Sequence, residues 1–248
     1  MRFTYILFLF SIINFSQNKP LEVKIDSITF KDLQPNKRKY SINYQIKNLT
    51  NHEISFFLTP NTLIANAASS MTLYPIYKIY INKEFTPLDG PFFEKYGIDW
   101  EDFRETNKNL NKTELKELAQ KMYDDFQNTN KITIEKYKKN GGTNTDGHWI
   151  LQNDNLMKSK IALKPNEIKL FEIQTSWDKD RYFKQGDLEY YLDEKDQYEF
   201  ELILDLKKTA FQNQLSTEEF SIIEKDKNFI QGIFTSNKIF IEIGRAHV

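Results

Sequence analysis

Period-two alternation is the clearest signal along the chain. Tyr40, Ile42, Tyr44 and Ile46 alternate with Ser41, Asn43, Gln45 and Lys47, the pattern of a strand with one buried face. Tyr198, Phe200, Leu202, Leu204 and Leu206 repeat it, with Glu199, Glu201 and Asp205 on the opposite face. Weaker runs predict strands over 21–30, 54–59, 71–81, 169–175, 188–192, 229–234 and 238–241. Asn48-Leu49-Thr50-Asn51 reads as the turn between the second and third strands, and Thr235-Ser236-Asn237 as the turn of a final hairpin. Pro75 demotes the middle of its run to an edge or bulge position. Many short strands separated by turn signals, with no βαβ alternation, point to a mainly β fold, an antiparallel two-sheet sandwich.

Between about residues 91 and 160 the texture changes to a helical insert. Asn111-Lys112-Thr113-Glu114 has the form of a capping box. Leu115, Leu118, Ala119, Met122 and Phe126 follow at helical spacing, an amphipathic stripe whose ordinary meaning is a helix packed on a core. Mixed charges on its polar face argue against a membrane-surface helix. Upstream, Phe92, Phe93, Tyr96, Ile98, Trp100 and Phe103 form an aromatic cluster expected to anchor the insert; its sharper reading is a carbohydrate-stacking surface.

Both ends read as something other than the domain. Met1-Arg2 precedes the apolar run Tyr5-Ile6-Leu7-Phe8-Leu9-Phe10, which Ser11, Asn14, Ser16 and Gln17 interrupt and end far short of a membrane span. That is the pattern of a signal peptide over 1–16, with cleavage after Ser16 and export to the periplasm or beyond the cell. No Cys follows it, so a lipid anchor and membrane insertion after cleavage are not expected. Residues 243–248, Ile243-Gly244-Arg245-Ala246-His247-Val248, spell one frame of a short-read sequencing adapter; they are set aside, and the natural chain is expected to run on past Glu242. This leaves 17–242 as a single domain.

Composition narrows the classes further. Setting aside Arg2 and Arg245 leaves 32 basic against 35 acidic residues, a balance that gives nucleic acid no electrostatic footprint. Hydrophobic residues at 40 % and aromatics at 15 % suffice for a real core. The absence of Cys excludes disulfides, thiolate zinc sites, thiol nucleophiles and iron–sulfur clusters.

Candidate chemistry is sparse. The polar stretch from Asn140 to Trp149 contains Gly141, Gly142 and Gly147 for backbone freedom, and Asp146, His148 and Trp149 as potential ligand-binding groups. One His and one Asp fall short of the three or four ligands a metal wants, and no metal or other cofactor is expected. His52 lies in a predicted turn and reads as a surface residue. There is no G-x-S-x-G elbow, no H-E-x-x-H and no P-loop. Asp178, Asp180, Asp187, Glu189, Asp193, Glu194 and Asp196 make an acidic stretch interleaved with Trp177, Tyr182, Tyr190 and Tyr191, without the order of an EF-hand loop. Asn48-Leu49-Thr50 and Asn111-Lys112-Thr113 fit the N-glycosylation acceptor pattern.

The signal ending in Phe15-Ser16-Gln17, the strand over 40–48 running into Leu49-Thr50-Asn51, and Leu163-Lys164-Pro165-Asn166-Glu167 ahead of a strand resemble exported immunoglobulin-like β-sandwich proteins of Bacteroidetes-type bacteria. The resemblance implies a fold and a compartment. The expectation is an exported, non-enzymatic binding or accessory module with a protein or glycan partner. The alternative is a secreted or periplasmic hydrolase acting on a glycan or other polymer through carboxylates.

Overall fold

Tyr40, Ile42, Tyr44 and Ile46 are all buried, so the alternation read from the sequence marks a core-facing strand. The computed structural model describes residues 19–34, 37–65, 73–86, 103–104, 106–178, 184–185, 188–189 and 196–242. The stretch read as a signal peptide, the aromatic cluster apart from Phe103, most of the acidic stretch and the six C-terminal residues lie outside them.

The strands are β1 (Leu21–Gln34), β2 (Lys37–Asn48), β3 (Ile54–Phe57), β4 (Ile64–Ala65), β5 (Ile76–Ile81), β6 (Glu84–Thr86), β7 (Lys160–Leu163), β8 (Ile168–Asp178), β9 (Lys184–Gln185), β10 (Leu188–Glu189), β11 (Tyr198–Leu206), β12 (Gly232–Thr235) and β13 (Ile239–Ile241). The helices are α1 (Lys112–Lys139), α2 (Gly147–Lys158) and α3 (Thr217–Lys225), with a 3₁₀ turn over Thr209–Gln214.

β2 is the centre of a three-stranded antiparallel sheet, flanked by β1 and β8. A six-stranded sheet is built on β11, which pairs with β5 on one side and with β12 and β13 in succession on the other. β4 and β6 share the outer edge of β5. The inner faces of the two sheets form one core of Leu21, Val23, Ile25, Tyr40, Ile42, Tyr77, Phe200 and Leu202, with Tyr77 and Phe200 stacked at 5.8 Å. The fold is β-rich and its ladders are antiparallel except for the short parallel pairing of β4 with β5, and part of it curves as a half-barrel.

The predicted final hairpin is not formed. β12 and β13 both run antiparallel to β11, one interrupted edge strand with Ser236–Lys238 as the irregularity. Ser236 explains how the interruption is tolerated: its N–H donates to the Leu202 carbonyl and its Oγ accepts the Leu202 N–H, each at 2.9 Å. The Asn237 side chain then bonds both backbone groups of Ile25, accepting its N–H at 2.8 Å and donating to its carbonyl at 3.2 Å. An amide thus takes the place of a paired residue and ties the two sheets together at β1, next to the register shift between Ile25 and Ser27.

A smaller ladder pairs β3 with β7, and Ser55 bridges to Phe229 on β3's other side. Phe57, Leu156, Phe211, Leu215, Ile223 and Phe229 form a second core beneath α2, the 3₁₀ turn and α3. The basic-Pro-x-Glu lead to β8 is a turn: Asn166 has φ 58°, and the Glu167 carboxylate accepts the Lys164 N–H at 2.6 Å.

Asn111 caps α1 in the expected box with Glu114. The stripe that follows does not pack as expected. No residue of α1 is buried, with Met122 44 % and Phe126 60 % exposed. The helix is held instead at its C-terminal end. There Gly141, at φ 86°, closes a Schellman motif, and the Tyr137 ring lies over Gly142 so closely that a Cβ would sit 2.2 Å from it.

Candidate functional site

The last three residues of the polar stretch from Asn140 to Trp149 open a helix, with Asp146 as its cap and His148 in its first turn. Asp146 is the N-cap of α2, its carboxylate accepting the His148 N–H at 2.9 Å. His148 is exposed, with Nε2 2.9 Å from Gln152 Nε2 one turn on. Trp149 donates its indole N–H to the Asn213 carbonyl at 2.8 Å and meets Tyr137 edge-on at 6.0 Å. The three residues are neighbours, but the carboxylate and the indole N–H are each used in holding the corner between α1, α2 and the 3₁₀ turn. Among the described residues no three His, Cys, Asp or Glu side chains gather as a metal site would require. Asp196 of the acidic stretch accepts from Asn82 at 2.9 Å. Asp180, Asp187, Asp193 and Glu194 of the same stretch lie outside the described residues.

The Asn48-Leu49-Thr50 sequence is likewise structural. Asn48 is fully buried, its amide donating to the carbonyls of His52, Leu163 and Lys164 while its oxygen accepts from the backbone and hydroxyl of Thr50. Such a nitrogen is closed to glycan transfer in the folded protein. The other acceptor sequence, at Asn111, is exposed.

The open chemistry lies elsewhere, along β8. Its register with β2 runs unbroken from Lys37↔Asp178 to Lys47↔Ile168. The Asn48 N–H bonds the Glu167 carbonyl at 3.0 Å, which makes that pair hydrogen-bonded and fixes the alternation above it. Lys169, Phe171, Ile173 and Thr175 therefore direct their backbone groups to β2. Ile168, Leu170, Glu172, Gln174 and Ser176 direct theirs away from it, and β2 is the one strand that pairs with β8 among the described residues.

The ground beside that edge is concave. A cleft of about 450 Å³ is lined by Asn61, Leu170, Phe171, Glu172 and Gln174. A smaller depression of about 240 Å³ adjoins it, sharing Leu170, Phe171 and Glu172 and adding Asp26, Asn43 and Tyr44. Tyr44 fixes the far wall by donating its hydroxyl to the Pro60 carbonyl at 2.7 Å, next to Asn61. Burial pushes the Tyr44 hydroxyl pKa well above its ordinary value, so it stays a donor. Phe171 packs on Tyr44 at 5.4 Å and is half-buried, while Leu170 is 74 % exposed. An edge strand is normally blunted by Pro, Lys or a bulge. β8 has no Pro and no register shift, and its one Lys, Lys169, donates to the Ala162 carbonyl at 2.9 Å. The sequence revealed the strand but not its place at the edge of the sheet formed by the described residues, since edge and central strands share the same alternation.

No protein-family model matches the chain, and neither a curated protein nor a solved structure shows significant similarity to it.

Proposed function

We propose that the chain is an exported, non-enzymatic binding module on an immunoglobulin-like β-sandwich, and that it captures an extended polypeptide as a fourth strand beside β8. One observation carries the reading: an eleven-residue strand with an outward row of backbone donors and acceptors and an apolar ring, Phe171, at the floor of the adjoining cleft. Strand addition draws affinity from main-chain hydrogen bonds and specificity from alternate side chains. The favoured ligand has an apolar residue over Phe171 and polar residues beside Glu172 and Gln174. The facing antiparallel sheets support the sandwich, and the short apolar leader supports export.

The test is a peptide-display selection on the chain lacking residues 1–16, followed by amide hydrogen exchange with the best peptide. Protection at Leu170, Glu172 and Gln174, with binding abolished by Gln174→Pro, is the expected result. Peptides that protect other amides, or that bind Gln174→Pro equally well, overturn strand addition. Export is tested separately by expressing the full chain in a Gram-negative host and sequencing the mature N-terminus. An unprocessed product retained in the cytoplasm refutes it.

A further inference from the structure

The outer face of the six-stranded sheet carries aromatic rings where a solvated face would ordinarily be polar. Tyr80 pairs with Phe85 on β6 and with Glu199 on β11, and Glu199 pairs with Phe240 on β13. Directly opposed residues of antiparallel strands share a face. Phe85, Tyr80, Glu199 and Phe240 therefore form one row across four strands, on the side opposite the buried Ile79, Phe200 and Ile241. Phe240 is 66 % and Phe85 44 % exposed.

The row is set in polar groups of both signs. Tyr80 donates its hydroxyl to Glu201 at 2.6 Å and meets Phe85 at 5.9 Å. Lys238 Nζ stands 3.3 Å from the Tyr80 ring centroid, and Lys78, opposite Glu201, lies 5.2 Å from that of Phe85. With adjacent strands about 4.8 Å apart, Tyr80 and Phe240 are about 10 Å apart across the sheet, and Phe85 extends the row to about 14 Å.

We infer that this face binds a neutral polysaccharide chain. Pyranose C–H faces stack on the exposed rings of Phe240 and Phe85, while Glu199, Glu201, Lys78 and Lys238, whose ammonium covers the Tyr80 ring, bond the hydroxyls. The arrangement of charge selects this occupant. Two carboxylates and two ammonium groups interleave, so the face offers no field to a polyanion or an anionic membrane. Glu199 stands between two rings in the middle of the row, whereas the centre of a protein interface is depleted of charge. Hydroxyls both donate and accept, and a sugar chain combines them with apolar faces, as the row sets Glu199 between rings. The length of the row suits about two or three pyranose rings.

The face is on the other sheet from β8, and its test is separate. The chain lacking residues 1–16 is run in native affinity gels containing hydroxyethyl cellulose, xylan, a mixed-linkage β-glucan or glycogen. Retardation by at least one of them is expected, about tenfold weaker in Phe240→Ala, retained in Phe240→Trp and unchanged in Gln174→Pro. Circular dichroism establishes that each variant is folded. Migration unaffected by all four polysaccharides overturns the inference, as does binding that survives Phe240→Ala. Self-association that Phe240→Ala abolishes, in a chain that none of them retards, assigns the face to a second copy and overturns it equally.

Discussion

Removing the Asn48 side chain should destabilise the fold more than any surface substitution, and its geometry says by how much. Asn48→Ala deletes five hydrogen bonds from a fully buried site. The loss is not uniform, because some partners keep another bond. The His52 carbonyl still accepts from the Thr50 hydroxyl, and the Lys164 carbonyl still accepts the Glu167 N–H at 3.0 Å. The Leu163 carbonyl keeps the Ile54 N–H across the β3–β7 ladder, which leaves the Thr50 N–H without another partner in the turn. One compromised group at about 1–2 kcal/mol, plus about 1–2 kcal/mol for the four bonds whose partners keep another, gives a cost of about 2–4 kcal/mol. For a chain of this length that lowers the melting temperature by roughly 10 °C.

Asn48→Asp separates chemistry from volume. It is isosteric and keeps the acceptor for Thr50, but it turns a buried carboxylate oxygen toward three carbonyl oxygens, so at neutral pH it should cost at least as much as alanine. The assay is equilibrium urea unfolding of the chain lacking residues 1–16, with the slope compared between variants. A cost below about 1 kcal/mol for alanine, or full stability in the aspartate variant, refutes the hub.

The direction of backbone groups on β8 predicts opposite outcomes for adjacent prolines: Gln174→Pro should cost about 1 kcal/mol or less, whereas Ile173→Pro removes a rung to Ile42 and a buried side chain and should cost more than about 3 kcal/mol in the same assay. Gly142→Ala should cost about 1–3 kcal/mol, because the new Cβ displaces the Tyr137 ring from its contact with Trp149; thermal unfolding with no change from wild type would show that the corner is soft. Stability should fall in alkali: burial raises the Tyr40 and Tyr44 hydroxyls, and burial with the Glu201 hydrogen bond lifts Tyr80 to about 12, from 10.0. The unfolded chain then loses protons first, so the contribution is intact below pH 10 and declines as pH rises through the folded values, and urea midpoints that stay level from pH 9 to 11.5 would contradict it.

What the sequence made legible was the local part of the fold. β2 and β11 were readable because one face of each is buried and the other wet, and α1 was readable to its first residue because a capping box is a contact between near neighbours. Ser216-Thr217-Glu218-Glu219 carries the same signature and does cap α3, yet the polar residues around it hid a helix of nine residues. The turn reading of Thr235-Ser236-Asn237 failed for a different reason. Small polar residues satisfy backbone groups locally in a hairpin, but here they satisfy Leu202 on a neighbouring strand and Ile25 more than two hundred residues away. Periodicity reports which side of an element is apolar, not whether anything covers it. The stripe of α1 and the rings of Phe85 and Phe240 are therefore alike in sequence to core positions and differ only in what stands opposite. Both sites proposed for this protein follow from that limit. The edge of β8 among the described residues and the aromatic row are defined by strand order and by register, and such relations come into view only once the strands are ordered.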